Sequence, residues 1–438
     1  MTAHSPFRYL PTGWAIALFA SALFAAACSD DDEQPQLPDY SPEAVALDLN
    51  ESRALFHTWR QSFEIGNGPY VPFNTVAEDI HRLVHRVQLV EENRRFSVST
   101  QPPPISTFFP VEEVNLALES ELYGDTMQDF DEVTLVLDLM RLDDSWLLDW
   151  EGANRHEENL RSGLNFGLAQ PTYEQAIQRR LLDAVGAWHD GERTVRVVLG
   201  AEMERYWLLN PEDWTHFVSF TRDVRETLAQ EFPNVEFSIG INWSAFMERV
   251  VPTFLVDPGE NDPPLAFAPF DDEGNPHFVL VQEAWDTVLE PLYFDRAPDP
   301  DNAERMLLEP AVDFYAFASI PAAGLLQEAR NLPSLHWRGV RTIIEADPAR
   351  RLPVDWYAIG WTGETTVQQD AFLQRFLAEA GGLDSRTTAW FAFTQAADNE
   401  CRRLTGSEIA ARSHHCTRGL VRPSGQPQTP IHEAFLGR

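Results

Sequence analysis

From about Ala44 onward, short β-branched segments alternate with longer amphipathic ones, and this alternation favours a parallel sheet with helical crossovers. The strand candidates are Arg95–Thr100, Val133–Met140, Thr194–Gly200, Val235–Asn242, Val312–Ser319, Val354–Gly360 and Thr388–Thr394, with an opening strand near Leu55–Trp59. Asn210-Pro211-Glu212-Asp213 has the cap, proline and acidic first turn of a helix start, and Trp214, Phe217, Val218, Val224 and Leu228 follow at helical spacing. Val367, Ala371, Phe372 and Phe376 predict another helix, stopped by Gly381-Gly382. About eight such strands predict a (β/α)8 TIM barrel over residues 44–438, a span that fits this fold with insertions. Val251–Pro310 is a long insertion after strand five, and because it leaves the C-terminal end of a strand it is expected on the active face. No glycine-rich fingerprint follows any strand, so no nucleotide cofactor is expected.

The first 27 residues have the form of an export signal. Arg8 precedes the apolar run Trp14–Ala27, which is too short to span a bilayer and ends on Ala25-Ala26-Ala27. Small residues directly before Cys28 resemble the bacterial lipoprotein signal, in which that cysteine is lipidated and becomes the first mature residue. Ala25 stands where such signals usually carry leucine, so a plain secretory signal is the alternative. Residues 28–43 form an acidic, proline-spaced tether expected to be disordered. The expected location is thus the bacterial cell envelope, with a lipid anchor in the membrane. In an oxidising compartment Cys401 and Cys416 are left to pair as a disulfide. His414 and His415 beside Cys416 lack a spaced second pair, so no metal site is expected.

Composition excludes several chemistries. Lysine is absent, all 33 basic side chains being arginine, which rules out Schiff-base and pyridoxal-phosphate catalysis and a Walker-type phosphate loop. The net charge of −35 makes nucleic acid an unfavourable partner.

The strand Thr194–Tyr206 (TVRVVLGAEMERY) delivers Glu202 at its tip, with Gly200, Glu202 and Glu204 on one parity. Val354–Trp361 (VDWYAIGW) is a strand of the same kind with Ala358 at its tip; there Trp356, Ala358 and Gly360 share a parity opposite to Asp355. Trp207, Trp243, Trp361 and Trp390 fall at or just beyond strand ends. Such rings stack on the apolar faces of sugars or, alternatively, pack beneath loops.

VLGAEMERY at Val198–Tyr206 resembles the strand-four segment, Gly-Asn-Glu, of the retaining glycoside hydrolases of the large (β/α)8 clan. VDWYAIGW, with the helix TVQQDAFLQRFL behind it, resembles their strand-seven pattern Glu-x-Gly-Trp. Asp313–Pro321 resembles strand six, which often ends in Tyr-Tyr-Pro. The tail, with Gly419-Leu420, Ser424-Gly425-Gln426-Pro427 and Ala434-Phe435, resembles the closing segment. The resemblance runs from about Val133 to the C-terminus. It implies that Glu202 occupies the acid/base position and that Ala358 occupies the nucleophile position. Ala201 replaces the sugar-contacting asparagine, and Ser319-Ile320 replaces the aromatic pair.

Glycosidases need two carboxyl groups flanking the scissile bond, roughly 5–5.5 Å apart when retaining and 6.5–9.5 Å when inverting. Glu364 is a possible substitute from the loop after the second strand, or simply a solvated helix-opening residue. Asp138 and Glu204 are lesser candidates, and Glu204 is also a candidate sugar contact. The expectation is a lipoprotein that binds oligo- or polysaccharide and is catalytically impaired. The alternatives are an active glycosidase with Glu202 as general acid, and an envelope protein-interaction module without sugar function.

Overall fold

The computed structural model describes residues 46–58, 80–88, 130–139, 171–189, 191–254, 278–300, 302–320, 332–360, 366–391, 419–422 and 426–436. Eight of its strands close a parallel barrel: β1 (Arg53–Thr58), β2 (Arg82–Gln88), β3 (Glu132–Asp138), β4 (Thr194–Leu199), β5 (Glu236–Asn242), β8 (Tyr315–Ser319), β9 (Val354–Ile359) and β10 (Ser385–Trp390). They neighbour one another in that order, and β10 pairs with β1 to complete the ring. The remaining two strands, β6 (Phe294–Asp299) and β7 (Asn302–Pro310), form an antiparallel hairpin outside it. Helices α1 (Pro171–Trp188), α2 (Met203–Leu209), α3 (Trp214–Glu231), α4 (Phe278–Ala284), α5 (Leu332–Ala346) and α6 (Thr366–Ala380) are among those connecting the strands, and α7 (Ile431–Leu436) follows β10. Among the described residues no helix is long and apolar enough to cross a membrane.

The apolar strands fall where the sequence predicts them, and two others do not. The second barrel strand is RLVHRVQ at Arg82–Gln88; Arg95–Thr100, expected in that role, lies outside the described residues. Strand β10 begins at Ser385, ahead of the expected Thr388. Both were obscured by charge. Arg82 bonds Glu132 Oε2 at 3.1 Å on β3, and Arg386 bonds Glu236 Oε2 at 2.9 Å on β5.

These residues belong to an ionic layer at the foot of the barrel. Arg196 is its hub: Nη2 donates to Glu132 Oε2 at 2.9 Å, Nε to Glu236 Oε2 at 3.2 Å and Nη1 to Thr387 Oγ1 at 3.3 Å, with Asp355 Oδ2 at 3.7 Å. Burial alone would lower the affinity of Arg196 for its proton, yet Asp355, Glu132 and Glu236 hold its pKa above the usual value. Burial likewise works to raise the pKa of Glu132, and the adjoining Arg196 and Arg82 outweigh it, leaving this carboxyl below its usual range. For fully buried Asp355 burial wins over Arg196 and Arg386, and its pKa rises.

Outside the ring, helix faces bury aromatic stripes. On α3, Trp214, Phe217, Val224 and Leu228 are buried as predicted. On α6 the buried stripe is Phe372, Leu373, Phe376 and Ala380, whereas Val367 and Ala371, expected on it, are exposed. Helix α6 ends before Gly382, whose φ of 87° suits glycine.

The connection from β5 to β8 departs from expectation. Its residues 255–277 lie outside the described residues. The part from α4 through Tyr293 packs along the barrel wall, with Trp285 stacked on Tyr293 and edge-on to Tyr315. The β6–β7 hairpin leads into the start of β8, where Ala311 N–H bonds Tyr293 O at 2.9 Å, and so sits at the foot rather than on the active face. Glu290 fixes it there, accepting from Arg296 of β6 at 3.0 Å and from Arg350, just before β9, at 2.6 Å.

Candidate functional site

Strand β4 is buried on both faces from Val195 to Leu199, which suits its near-continuous apolar sequence. It ends at Leu199, earlier than the parity from Gly200 to Glu204 assumed. Gly200 turns the chain with φ 71°, and a Cβ there would meet Met203 Sδ at 2.4 Å. Its carbonyl oxygen in turn lies where a Cβ on Gly240 of β5 would be, at 2.3 Å, so β5 also requires glycine to let this turn approach. Glu202 then adopts φ 55° and ψ 40°, left-handed backbone for a non-glycine residue, immediately before α2. Such a conformation costs roughly 1–3 kcal/mol and is retained where surrounding structure enforces it. The Glu202 carboxyl is thereby brought to Asn242 at the end of β5, while Glu204 falls in the first turn of α2 instead of on the strand.

Asn242, the last residue of β5, ties the two carboxyl groups together. Its backbone N–H donates to Glu204 Oε2 at 2.9 Å and its Nδ2 to Glu202 Oε1 at 3.3 Å. The same side chain clasps the end of β8, with Nδ2 donating to Ile320 O at 3.2 Å and Oδ1 accepting from Ile320 N at 3.3 Å. Arg205 Nη1 lies 3.8 Å from Glu202 Oε2. Glu202 is 4% exposed and Glu204 is fully buried. Burial, reinforced by the neighbouring Glu202 charge, pushes the Glu204 carboxyl well above the usual range against the pull of the Asn242 N–H and of Arg205. Glu204 Oε1 has no hydrogen-bond partner among the described residues, as suits a carboxyl held protonated. Glu204 was singled out in the sequence as a sugar contact or spare carboxylate; its burial removes it from direct contact with any ligand in this state.

Across the mouth stands β9. Trp356 pairs with Phe317 of β8, and both rings belong to the helix layer: Phe317 meets Trp243 and Tyr293, and Trp356 meets Phe376 of α6. The next pair is Ala318 with Ala358, so β9 holds one extra residue, Tyr357, at a bulge. The register with β10 slips at the same place, from Thr388–Trp356 to Trp390–Ile359. Paired residues share a face and successive residues on regular β8 alternate. Ala318, and Ala358 with it, therefore face the barrel interior, opposite to Trp356. The parity that grouped Trp356 with Ala358 is thus broken by the bulge, which re-aims the side chains after it. Tyr357 is fully buried, and its phenol pKa is raised by burial and then by the charges of Glu202 and Glu204, which places its hydroxyl near both carboxyls. Arg86 of β2, also fully buried, acts on it in the opposite sense.

Two of the four tryptophans belong elsewhere. Trp243 is fully buried in the helix layer, its Nε1 donating to His336 O at 2.6 Å and its ring against Phe246, Trp285 and Phe317. Trp390 packs against Phe372 and Phe435 on the outer side of the barrel. Trp390 closes β10 and Trp243 directly follows β5, and a residue at such a place faces inward or outward with equal ease. Trp207 on α2 is half-buried and stacked on Phe254 at 5.8 Å. Ser319 also points outward, bonded to Ser244 Oγ at 3.0 Å and Trp337 Nε1 at 2.9 Å. Trp361, Glu364, Cys28, Cys401, Cys416 and the side chain of Asp138 lie outside the described residues. The residues that sequence inspection missed are Asn242, Tyr357, Arg86 and Arg205. Asn242 had a legible signal, a polar residue closing a strand directly before Trp243. Among the described residues no cluster of His, Cys, Asp and Glu is built to hold a metal ion.

No protein-family model matches the sequence, and no curated protein does either. Solved structures that resemble this one include an endo-1,4-β-D-mannanase from Thermotoga petrophila, at 12% identity and TM-score 0.47, covering 88% of this chain and 98% of that one. An exo-β-1,4-mannosidase from Opitutaceae bacterium strain TAV5 resembles it at 10% identity and TM-score 0.47, over 90% of this chain and 59% of that one. A β-glucosidase from Trichoderma harzianum does so at 10% identity and TM-score 0.41, over 89% and 97%. The closed parallel barrel stands on its own strand pairing, independently of these likenesses.

Proposed function

We propose that this chain is a saccharide-binding protein on a glycosidase-type barrel that does not hydrolyse its ligand by double displacement. The observation that carries the reading is the pairing of Ala358 with Ala318, which turns an alanine, rather than a carboxylate, toward the interior across from Glu202. Retaining chemistry needs a carboxylate on each side of the glycosidic bond. Glu204 does not supply the second, since it follows Glu202 on the same segment and is fully buried. The sequence resemblance to retaining glycoside hydrolases supplies the ligand class. The export signal and Cys28 extend the proposal to a lipid-anchored protein of the bacterial envelope.

The test is a glycan panel with two readouts. Oligosaccharides of plant, fungal or bacterial origin should bind, seen by calorimetry or a thermal shift, and no reducing ends should accumulate. Steady hydrolysis that disappears in Glu202→Gln would overturn the proposal and establish a glycosidase with an unconventional partner, Glu364 being the first to substitute. Absence of both binding and turnover would favour a protein-interaction role. Radiolabelled palmitate incorporation lost in Cys28→Ala tests the anchor.

A further inference from the structure

We infer that Tyr357 is the residue that sets what the mouth admits: its ring occupies the interior beneath Glu202 where a reacting sugar ring would have to lie, so that saccharide is held only on the outer side of Glu202. The inference rests on the saccharide-binding reading and adds a specificity determinant to it.

Three independent observations place the ring there. Strand β9 slips register against both of its neighbours at the same point, so the extra residue belongs to β9 itself. Trp356 on one side of Tyr357 is committed to the helix layer by Phe317 and Phe376, which leaves the interior to Tyr357. Finally, Tyr357 ranks among the largest fully buried side chains, and the charged groups that act on it, Glu202, Glu204 and Arg86, come from β2 and the segment after β4. These elements and β9 lie on different sides of the ring of strands. A phenol that feels them all from β9 spans the interior.

The Tyr357 hydroxyl reaches the Glu202 backbone, a contact that opposes the effect of burial on its pKa and ties the ring to the segment that carries Glu202. An alanine at position 358 and an inward aromatic at 357 have one outcome, since either prevents a glycosidic bond from seating between two acids.

The experiment compares wild type, Tyr357→Ala and Tyr357→Phe. Binding of oligosaccharides and of free monosaccharides is measured by calorimetry, and amide hydrogen exchange is followed at Glu202 and Ala358. In Tyr357→Ala, monosaccharide affinity should rise by about tenfold or more, and exchange at both amides should accelerate similarly. Tyr357→Phe, which keeps the ring and should fold even if the alanine variant does not, should match wild type in both. A folded Tyr357→Ala with unchanged exchange and affinity overturns the inference, as does a Tyr357→Phe that opens the site by itself. Should wild type bind no glycan while exchange still accelerates in Tyr357→Ala, the plug stands and the saccharide-binding reading falls.

Discussion

At the foot of the barrel Arg82, Arg196 and Arg386 meet Glu132, Glu236 and Asp355, and each charge lies within 4 Å of an opposite one. At the mouth Glu202 and Glu204 stand two residues apart on one segment, with Arg205 3.8 Å from the first and the second fully buried. The two ends bury similar chemistry in opposite ways. Against its carboxylates the foot sets guanidinium forks, whose planar geometry lets one side chain serve several acceptors. They hold the pKa of Glu132 down, though not that of Asp355, which is fully buried. The mouth neutralises one of its carboxyls by protonation, since burial and a like charge both oppose ionisation. A paired network is suited to holding strands in register, whereas an unbalanced pair beside a strained residue is what a ligand site retains.

Removing the hub of the foot should have the largest effect. Arg196→Met leaves fully buried Asp355 with Arg386 alone and takes a cation from the partly exposed Glu132 and Glu236. Breaking a buried ion pair on one side costs roughly 3 kcal/mol, at the low end because Arg82 and Arg386 remain. Urea denaturation at pH 7 measures it. A loss of less than about 1 kcal/mol would mean that the foot behaves like a solvated surface cluster, and the contrast between the two ends would collapse.

Restoring the mouth tests the other side of the comparison. Ala358→Glu alone should remain without hydrolysis, because Tyr357 still occupies the space between the carboxyl groups. Combined with Tyr357→Gly, it should release reducing ends from a bound oligosaccharide. Activity in the single variant would show that the mouth lacks only its nucleophile, and that the tyrosine ring yields to substrate.

These two ends also differ in how far the sequence exposes them. Strands β4, β5, β8 and β9 were legible because they are apolar on both faces, and β3 because its valines and leucines are. Strands β2 and β10 were not, since their inward arginines and threonines read as surface residues until the foot network accounts for them. At the mouth, Ala358 stands near the tip of β9, as its sequence suggests, whereas Glu202 lies beyond the end of β4 on the turn before α2. The inward turn of Tyr357 was not legible, because a bulge leaves no mark in a hydrophobic pattern and is fixed by pairing with two other strands. Trp243 and Trp390 misled for a related reason: aromatic residues at strand ends serve helix packing as readily as ligand contact.

Glu204 offers the finest discrimination. Its folded pKa is raised above the unfolded value of about 4.5, so its favourable contribution is fully present below that value and is lost as pH rises toward the folded pKa. Glu204→Gln keeps a neutral group of the same shape at every pH. Stabilities of variant and wild type should therefore run parallel below pH 4.5 and diverge above it. The variant should gain about 1.4 kcal/mol per pH unit until the folded pKa is reached, where the gap levels off. Denaturation curves from pH 4 upward give the slope. At the foot Glu132 should behave in the opposite sense, since its pKa is lowered and its contribution is lost as pH falls through the folded value. Fully buried Asp355, whose pKa is raised, runs in the same sense as Glu204. A constant gap across the range would mean that Glu204 ionises as an ordinary carboxyl. The mouth would then hold two charged groups side by side, and its neutralisation by protonation, the feature that sets it apart from the foot, would be wrong.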